Sequence, residues 1–328
     1  MTPFTRFFLI FLFLLAANPF IMAQFSVSGE FRPRFEYRDG YLILRDSSKT
    51  PYPTILGRNR LIFDYKQDRL SARFSLQHAY VFGDNNFSSD TISKNTVNIY
   101  EAWFRYAFND YFAMKIGRME LFYDDGRLLG SSNWPPKGAT YDVALFQWGD
   151  GMGKYRGDFG FAINNSSPAT PYLASYTLRG YKYMGYLYEQ GKFFNDKLTV
   201  SFLAMLDVQQ KVSSNAKPDP ELLYGRFTIG GTAGYTLNKF KAYISGSYQD
   251  GKLANGKSVN AGYVAGYLSY RIFKPFNLQA GYEYMSGNDY SDQQSLKTKS
   301  TGFSTLYSSS HGFYGYMDMF SAPLAACD

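Results

Sequence analysis

From Phe25 to Arg38 every second residue is apolar or aromatic and every other one is charged or small and polar. One parity holds Phe25, Val27, Gly29, Phe31, Pro33, Phe35 and Tyr37. The other holds Ser26, Ser28, Glu30, Arg32, Arg34, Glu36 and Arg38. A period of two puts these sets on opposite faces of an extended chain, so this segment is a two-faced β-strand. The pattern recurs at Leu70, Ala72, Phe74 and Leu76 against Ser71, Arg73, Ser75 and Gln77, and at Phe240 to Gln249. Tyr100, Ala102, Phe104, Tyr106 and Phe108 likewise oppose Glu101, Trp103 and Arg105. Capped runs with a helical period are absent, and the fold class expected is all-β.

A soluble sandwich and a membrane barrel both use alternating strands. Sandwich strands average about 5 to 6 residues and pack branched aliphatics between two sheets. Here the segments reach about 10 residues or more, the length of a tilted strand crossing lipid. The apolar parity is rich in Phe and Tyr, and the chain holds 30 of each among 328 residues, a surplus that suits aromatic belts at a bilayer surface.

The connections separate the two architectures further. Candidate strands are 25–38, 55–66, 70–83, 97–108, 111–118, 139–148, 155–164, 179–189, 197–208, 222–236, 240–249, 258–271 and 276–286. Long polar connections (39–54, 84–96, 119–138, 165–178, 209–221, 250–257) alternate with short ones (67–69, 109–110, 149–154, 190–196, 237–239, 272–275). Long loops on one side and tight turns on the other predict a transmembrane antiparallel β-barrel in a single domain, residues 24–328. Alternation is blurred between 139 and 189, where glycine is frequent.

Met1 to Ala23 has one positive charge at Arg6, an apolar run from Phe7 to Ala17, and a small residue at Ala23 before Gln24. That is the layout of a signal peptide, residues 1–23, for Sec-type export. The run is shorter than the roughly 20 residues that a spanning helix needs. Export followed by strand insertion places the protein in the cell outer membrane, with outer-membrane lipid and the barrel-assembly machinery as partners.

Several segments resemble the alginate export family of outer-membrane porins, in the form found in Bacteroidetes-type bacteria. They are Gly29-Glu30-Phe31-Arg32-Pro33-Arg34-Phe35-Glu36-Tyr37-Arg38-Asp39-Gly40-Tyr41, then Arg58-Asn59-Arg60-Leu61 with Asp64-Tyr65, and Tyr100-Glu101-Ala102-Trp103. Further matches are Gly117-Arg118-Met119-Glu120-Leu121-Phe122-Tyr123-Asp124-Asp125-Gly126-Arg127-Leu128-Leu129-Gly130 with Asn133-Trp134, and His311-Gly312-Phe313-Tyr314-Gly315-Tyr316-Met317-Asp318. The resemblance implies a barrel of about 18 strands that conducts anionic polysaccharide or similar anionic solutes outward.

With the aromatic parity toward lipid, Arg32, Arg34, Arg58, Arg60, Arg73, Arg105 and Lys115 point into the lumen, since a charge on the lipid face costs about 2–4 kcal/mol at mid-depth. Glu30, Glu36, Asp64 and Glu101 share that parity. The expected lumen is charged, net basic and anion-selective, an arginine-lined conduit by the family resemblance. The plainer alternative is that Arg and Glu pair across neighbouring strands and only fill the barrel.

The loop 119–138, with Glu120, Asp124, Asp125 and Arg127 and the stiff pair Pro135-Pro136, is the expected constriction. Asp124 and Asp125 are hard oxygen ligands, but their spacing matches no known calcium loop, and solvated or locally paired acids are the simpler reading. Arg118 and Glu120 share the parity of Phe112, Met114 and Ile116, so either the strand ends at Gly117 or a bulge re-aims them.

No metal or cofactor site is expected, because one Cys and two His leave few soft or imidazole ligands. The same scarcity argues against a barrel lipase or protease: His78 falls on the lipid parity and His311 in the last loop, neither beside an evident nucleophile. An adhesin or structural barrel is the other alternative. The net charge of +7 is assigned to the lumen and not to nucleic-acid binding. The roughly thirteen to fourteen strands, the non-alternating end Ser321 to Asp328 and the family's greater strand number predict a truncated chain and an open or strained sheet, with Cys327 outside any chemistry.

Overall fold

A computed structural model describes residues 24–39, 50–84, 96–131, 133–164, 180–212, 218–309, 311 and 313. Residues 1–23, the expected signal peptide, and residues 314–328, including Cys327, lie outside the described residues. Thirteen long strands follow one another as an antiparallel meander. They are β1 (Phe25–Arg38), β2 (Tyr52–Gln67), β3 (Leu70–Val81), β4 (Thr96–Ala107), β5 (Phe112–Met119), β6 (Tyr141–Gly149) and β7 (Tyr155–Ile163). Then come β8 (Tyr183–Phe193), β9 (Leu198–Val212), β10 (Pro218–Leu237), β11 (Phe240–Lys252), β12 (Ser258–Arg271) and β13 (Asn277–Met285).

Strand bounds follow the alternation to within a few residues, because each face has its own solvent and a slip of one residue would exchange them. The turns follow the same logic. Asp68, Asn195, Asp196 and Asn238 adopt positive φ at the tight connections, a conformation that short side chains bonding their own backbone tolerate. Outward residues such as Phe31, 72% exposed, form the apolar outer face.

β1 and β13 are the two edges of the sheet, and no pairing joins them among the described residues. The sheet is therefore open, as the strand count predicts. The segment after β13 forms one helical turn, α1 (Gln293–Leu296), and a short β14 (Lys299–Ser300) that pairs in parallel with Ser258 and Val259 of β12. Beyond it, 301–309 runs as a loop, with Tyr307 bridged to Leu129.

The main apolar core lies on the inner face. Tyr141, Val143 and Leu145 of β6, Met184, Tyr186 and Tyr188 of β8, and Leu203 and Met205 of β9 point inward and are buried by Leu121, Tyr123, Leu128 and Leu129 of the loop after β5. Phe303 caps the same cluster from the last segment. This explains the blurred alternation between 139 and 189. Strands there have two apolar faces, one for lipid and one for the loop, so a period-two contrast has nothing to report.

Candidate functional site

Cross-strand register brings the charged parity of the first strands together. Arg32 lies opposite Arg58, Glu30 opposite Arg60, and Asp64 opposite Arg73. Two like charges face each other at Arg32 and Arg58, which is unfavourable unless acceptors intervene. Three do. Arg58 pairs with Glu30 at 2.5 Å and donates to Asn133 Oδ1 at 2.7 Å. Arg32 donates to the Asn133 and Trp134 carbonyls at 2.8 and 3.1 Å. Arg34 donates to the Trp134 carbonyl at 2.6 Å and lies 4.1 Å from the centre of its ring. The arginine ladder thus holds the descending limb of the 119–138 loop by its carbonyl oxygens, a task for planar multi-donor forks.

Below it the pairing is between strands. Arg73 bonds Asp64 at 2.7 Å and Glu101 at 3.2 Å. Arg105 donates to Gln147 at 2.8 Å, and the Lys115 ammonium lies 3.7 Å from the Trp103 ring centre. All eight inner-face residues singled out from the sequence are on the concave face. Pairing with carboxylates is found at Arg32, Arg34, Arg58, Arg60 and Arg73.

Tyr100 overturns its assignment to the lipid parity. The register between β3 and β4 shifts between Ser75 and Leu76, so Ser75 faces Glu101 while Leu76 faces Ile99, and Tyr100 is the extra residue of a bulge. Its ring turns inward, buried, under the Arg60 guanidinium at 3.5 Å, and its hydroxyl donates to Glu120. Gly138, at φ +65°, passes over this stack, where a Cβ would meet the Tyr100 hydroxyl oxygen at 2.7 Å. Only glycine fits that crossing. Tyr100, Trp134 and Gly138 carry no charge pattern, and parity alone could not find them.

On the far side the loop tip is tied to β8–β13. Asp124 accepts from Tyr188 at 2.8 Å, and Asp125 accepts from Tyr243 at 3.2 Å and from the Arg127 backbone N–H at 2.9 Å. Arg127 makes a bidentate pair with Glu283 of β13, both bonds 2.8 Å. The acids are therefore paired with local donors. The loop is thus bonded to β1 and β2 at one end and reaches β13 at its tip, which requires the sheet to curl around it. His78 stacks on Tyr80 at 4.6 Å on the outer face, and His311 stacks on Trp134 at 3.8 Å.

Burial pushes the Asp124 carboxyl above the ordinary carboxylate range, against hydrogen bonds from Ser201 and Tyr188 that pull it down, with Asp125 adding repulsion and Arg156 attraction. A raised folded pKa means that the neutral carboxyl favours docking. Its contribution is full below the ordinary Asp value of about 3.9 and is lost as pH rises through the raised value. Loop protection from protease, followed from pH 4 to 8 at ~0.15 M salt, is expected to fall with rising pH more in the wild type than in Asp124→Asn. Identical profiles for the two proteins would refute this.

A sequence model of the alginate export family matches residues 23–321. No curated protein matches the chain. Among solved structures, a BenF-like porin from Pseudomonas fluorescens Pf-5 is similar at 10% identity, over 80% of this chain and 67% of that one, with a TM-score of 0.56. OpdK of Pseudomonas aeruginosa, solved with vanillate, aligns at 10% identity over 81% and 67%, TM-score 0.53. OccK2 (OpdF) of the same organism aligns at 10% over 81% and 65%, TM-score 0.51. The chain spans about two thirds of the length of these porins, and the likeness is one of fold. An outer-membrane porin sheet, with the family match running over residues 23–321, leaves one conclusion: this chain belongs to the alginate export family.

Proposed function

We propose that the protein is a passive channel for anionic solutes, anionic polysaccharide among them, lined on one side by Arg32, Arg34, Arg58, Arg60, Arg73, Arg105 and Lys115 with Glu101 among them, and narrowed by the 119–138 loop. The observation that carries this reading is the convergence of Arg32, Arg34 and Arg58 on the same loop limb. Each of the three also meets a carboxylate, Arg32 and Arg58 sharing Glu30 and Arg34 pairing with Glu36 at 2.6 Å, so three guanidinium groups share two carboxylates and a net positive charge remains at the limb. Rings of Arg and Lys favour anions in a pore by such a charge. Glu120, Asp124, Asp125 and Arg127 belong to the constriction in this reading, as its anchors. Export by a cleaved leader, residues 1–23, and insertion by the outer-membrane assembly machinery precede this function. Passage involves no bond chemistry, so no catalytic group is assigned.

The test is a reversal potential across a planar bilayer separating two KCl concentrations, with the purified protein inserted. Anion preference is expected. Cation preference, or the lack of any conductance, would sink the proposal.

A further inference from the structure

The short-turn end of the sheet is unevenly charged. Along the first three tight connections, 66–70, 108–112 and 149–155, Lys66, Arg69 and Lys154 are matched by Asp68, Asp110 and Asp150. Along the last three, 192–198, 237–241 and 270–277, Lys192, Lys197, Lys239, Lys241, Arg271 and Lys274 stand against a single acid, Asp196. Half of this rim is neutral and half is strongly basic. Short turns mark the periplasmic side of an outer-membrane barrel, so the basic half borders the mouth by which an outward-bound solute enters.

Two of these cations point inward. Lys241 shares the parity of buried Ser245 and Gln249 on β11, and Arg271 that of buried Tyr263 and Ala265 on β12. Register sets Lys241 beside Ser269 and Gln279 in one cross-strand row, and Arg271 beside Asn277 in the next. With Tyr267 these side chains line a cavity of about 270 Å³. Among the described residues neither cation has a side-chain hydrogen bond or an ion pair. That sets them apart from Arg127, held by Glu283, and Arg226, held by Asp207. Even the outward Arg118, on a β5 that runs on to Met119, is answered by Asp142 at 2.9 and 2.8 Å. Glu283, the inner-face acid of β13, lies two inward rows further along and is taken by Arg127.

We propose that this cavity is the entry site for an acidic sugar residue, an oxyanion carried on a polyhydroxylated ring, at the periplasmic end of the conduit. The inference rests on the channel reading for what passes, and adds where the polymer is first held. Cations that only filled the wall would be matched with acids, as they are elsewhere on this sheet, whereas an anion site keeps its cations open. Lys241 and Arg271 supply charge-assisted bonds to the oxyanion. Ser269, Asn277 and Gln279 offer donors and acceptors for ring hydroxyls. Tyr267, whose ring is stacked on Tyr243 at 4.9 Å, gives an apolar face for the C–H side of the sugar. The surrounding basic rim raises the local concentration of a polyanion before it docks.

Limited acetylation of the full-length protein in detergent micelles, read residue by residue by mass spectrometry, tests the site. The probes are galacturonate oligomers, sulfated maltooligosaccharides and neutral maltooligosaccharides. At about ten times its dissociation constant, an acidic oligomer should slow acetylation of Lys241 roughly tenfold and leave Lys154, on the neutral half of the rim, unchanged. Protection by one acidic oligomer and not the other identifies carboxylate or sulfate as the group held. In R271Q the concentration for half-protection should rise about tenfold, the loss of one charge-assisted bond, and R271K should recover most of it. Lys241 acetylated at the same rate with and without both acidic oligomers, equal protection by the neutral one, or equal protection of Lys154 would overturn the proposal. The reversal potential keeps the two readings apart. Anion preference without protection at Lys241 removes the entry site alone, and protection with cation preference removes the channel alone.

Discussion

Asp207→Ala is expected to lower the stability of the folded protein by about 3–5 kcal/mol, the cost of breaking a buried ion pair from one side. Asp207 is 0% exposed, and Arg226, itself buried, donates to its two oxygens at 3.1 and 3.0 Å. The two are direct cross-strand partners on the inner faces of β9 and β10. Removing the carboxylate leaves a guanidinium enclosed with no equal acceptor, whereas the original pair had already offset much of its own desolvation. The double variant Asp207→Leu with Arg226→Met is therefore expected to lose less than Asp207→Ala, because it leaves no uncompensated charge. Urea midpoints in detergent micelles, with folding followed by heat-modifiable gel mobility, check both. A single variant as stable as wild type, or a double variant worse than the single, would contradict the account.

The second large effect concerns the arginine ladder. Exchanging Arg32 and Arg34 for Gln together should reduce anion preference and raise conductance. A unit charge about 4 Å from an ion's path is worth ~1 kcal/mol at water-like dielectric, or about fivefold in local anion concentration. The same two side chains hold the Trp134 carbonyl, so their loss also frees the loop limb. Lysine at both positions separates the roles: it keeps the charge and lacks the planar fork. Lysine variants should retain wild-type selectivity with noisier current, and glutamine variants should lose selectivity. If both substitutions raise conductance while selectivity stays at the wild-type value, the ladder is a loop anchor and the anion-channel reading fails at these positions.

How much of this was legible beforehand depends on how local the rule was. Strand 25–38, its inward Arg32 and Arg34 and its outward Phe31 and Phe35 follow from alternation alone, and the structure places them so. The tight connections at Asp68 and Asn238 follow from turn chemistry. The inner position of Arg73 and Arg105 follows from the cost of charge in lipid. Parity counting fails where the ladder slips. Nothing in Asn98-Ile99-Tyr100-Glu101 announces the bulge that turns Tyr100 inward. Arg118 was ambiguous for the opposite reason: the strand holds its register, and the charge remains outside because Asp142 across the ladder pairs with it.

A meander of amphipathic strands, the parity that faces lipid and the side that carries the long loops are already written in the residue order, because each of these rests on period two and on the transfer cost of charge. What fills the concave side depends on contacts between distant segments. Tyr141, Val143, Leu145, Met184 and Tyr186 present an inner surface that water would not tolerate, and the 119–138 loop covers it because Leu121, Tyr123, Leu128 and Leu129 must be buried as well. That mutual burial joins segments from 121 to 205 in sequence, and the arginines of β1 and β2 then take the loop's carbonyls, a pairing set by the path of the chain in space.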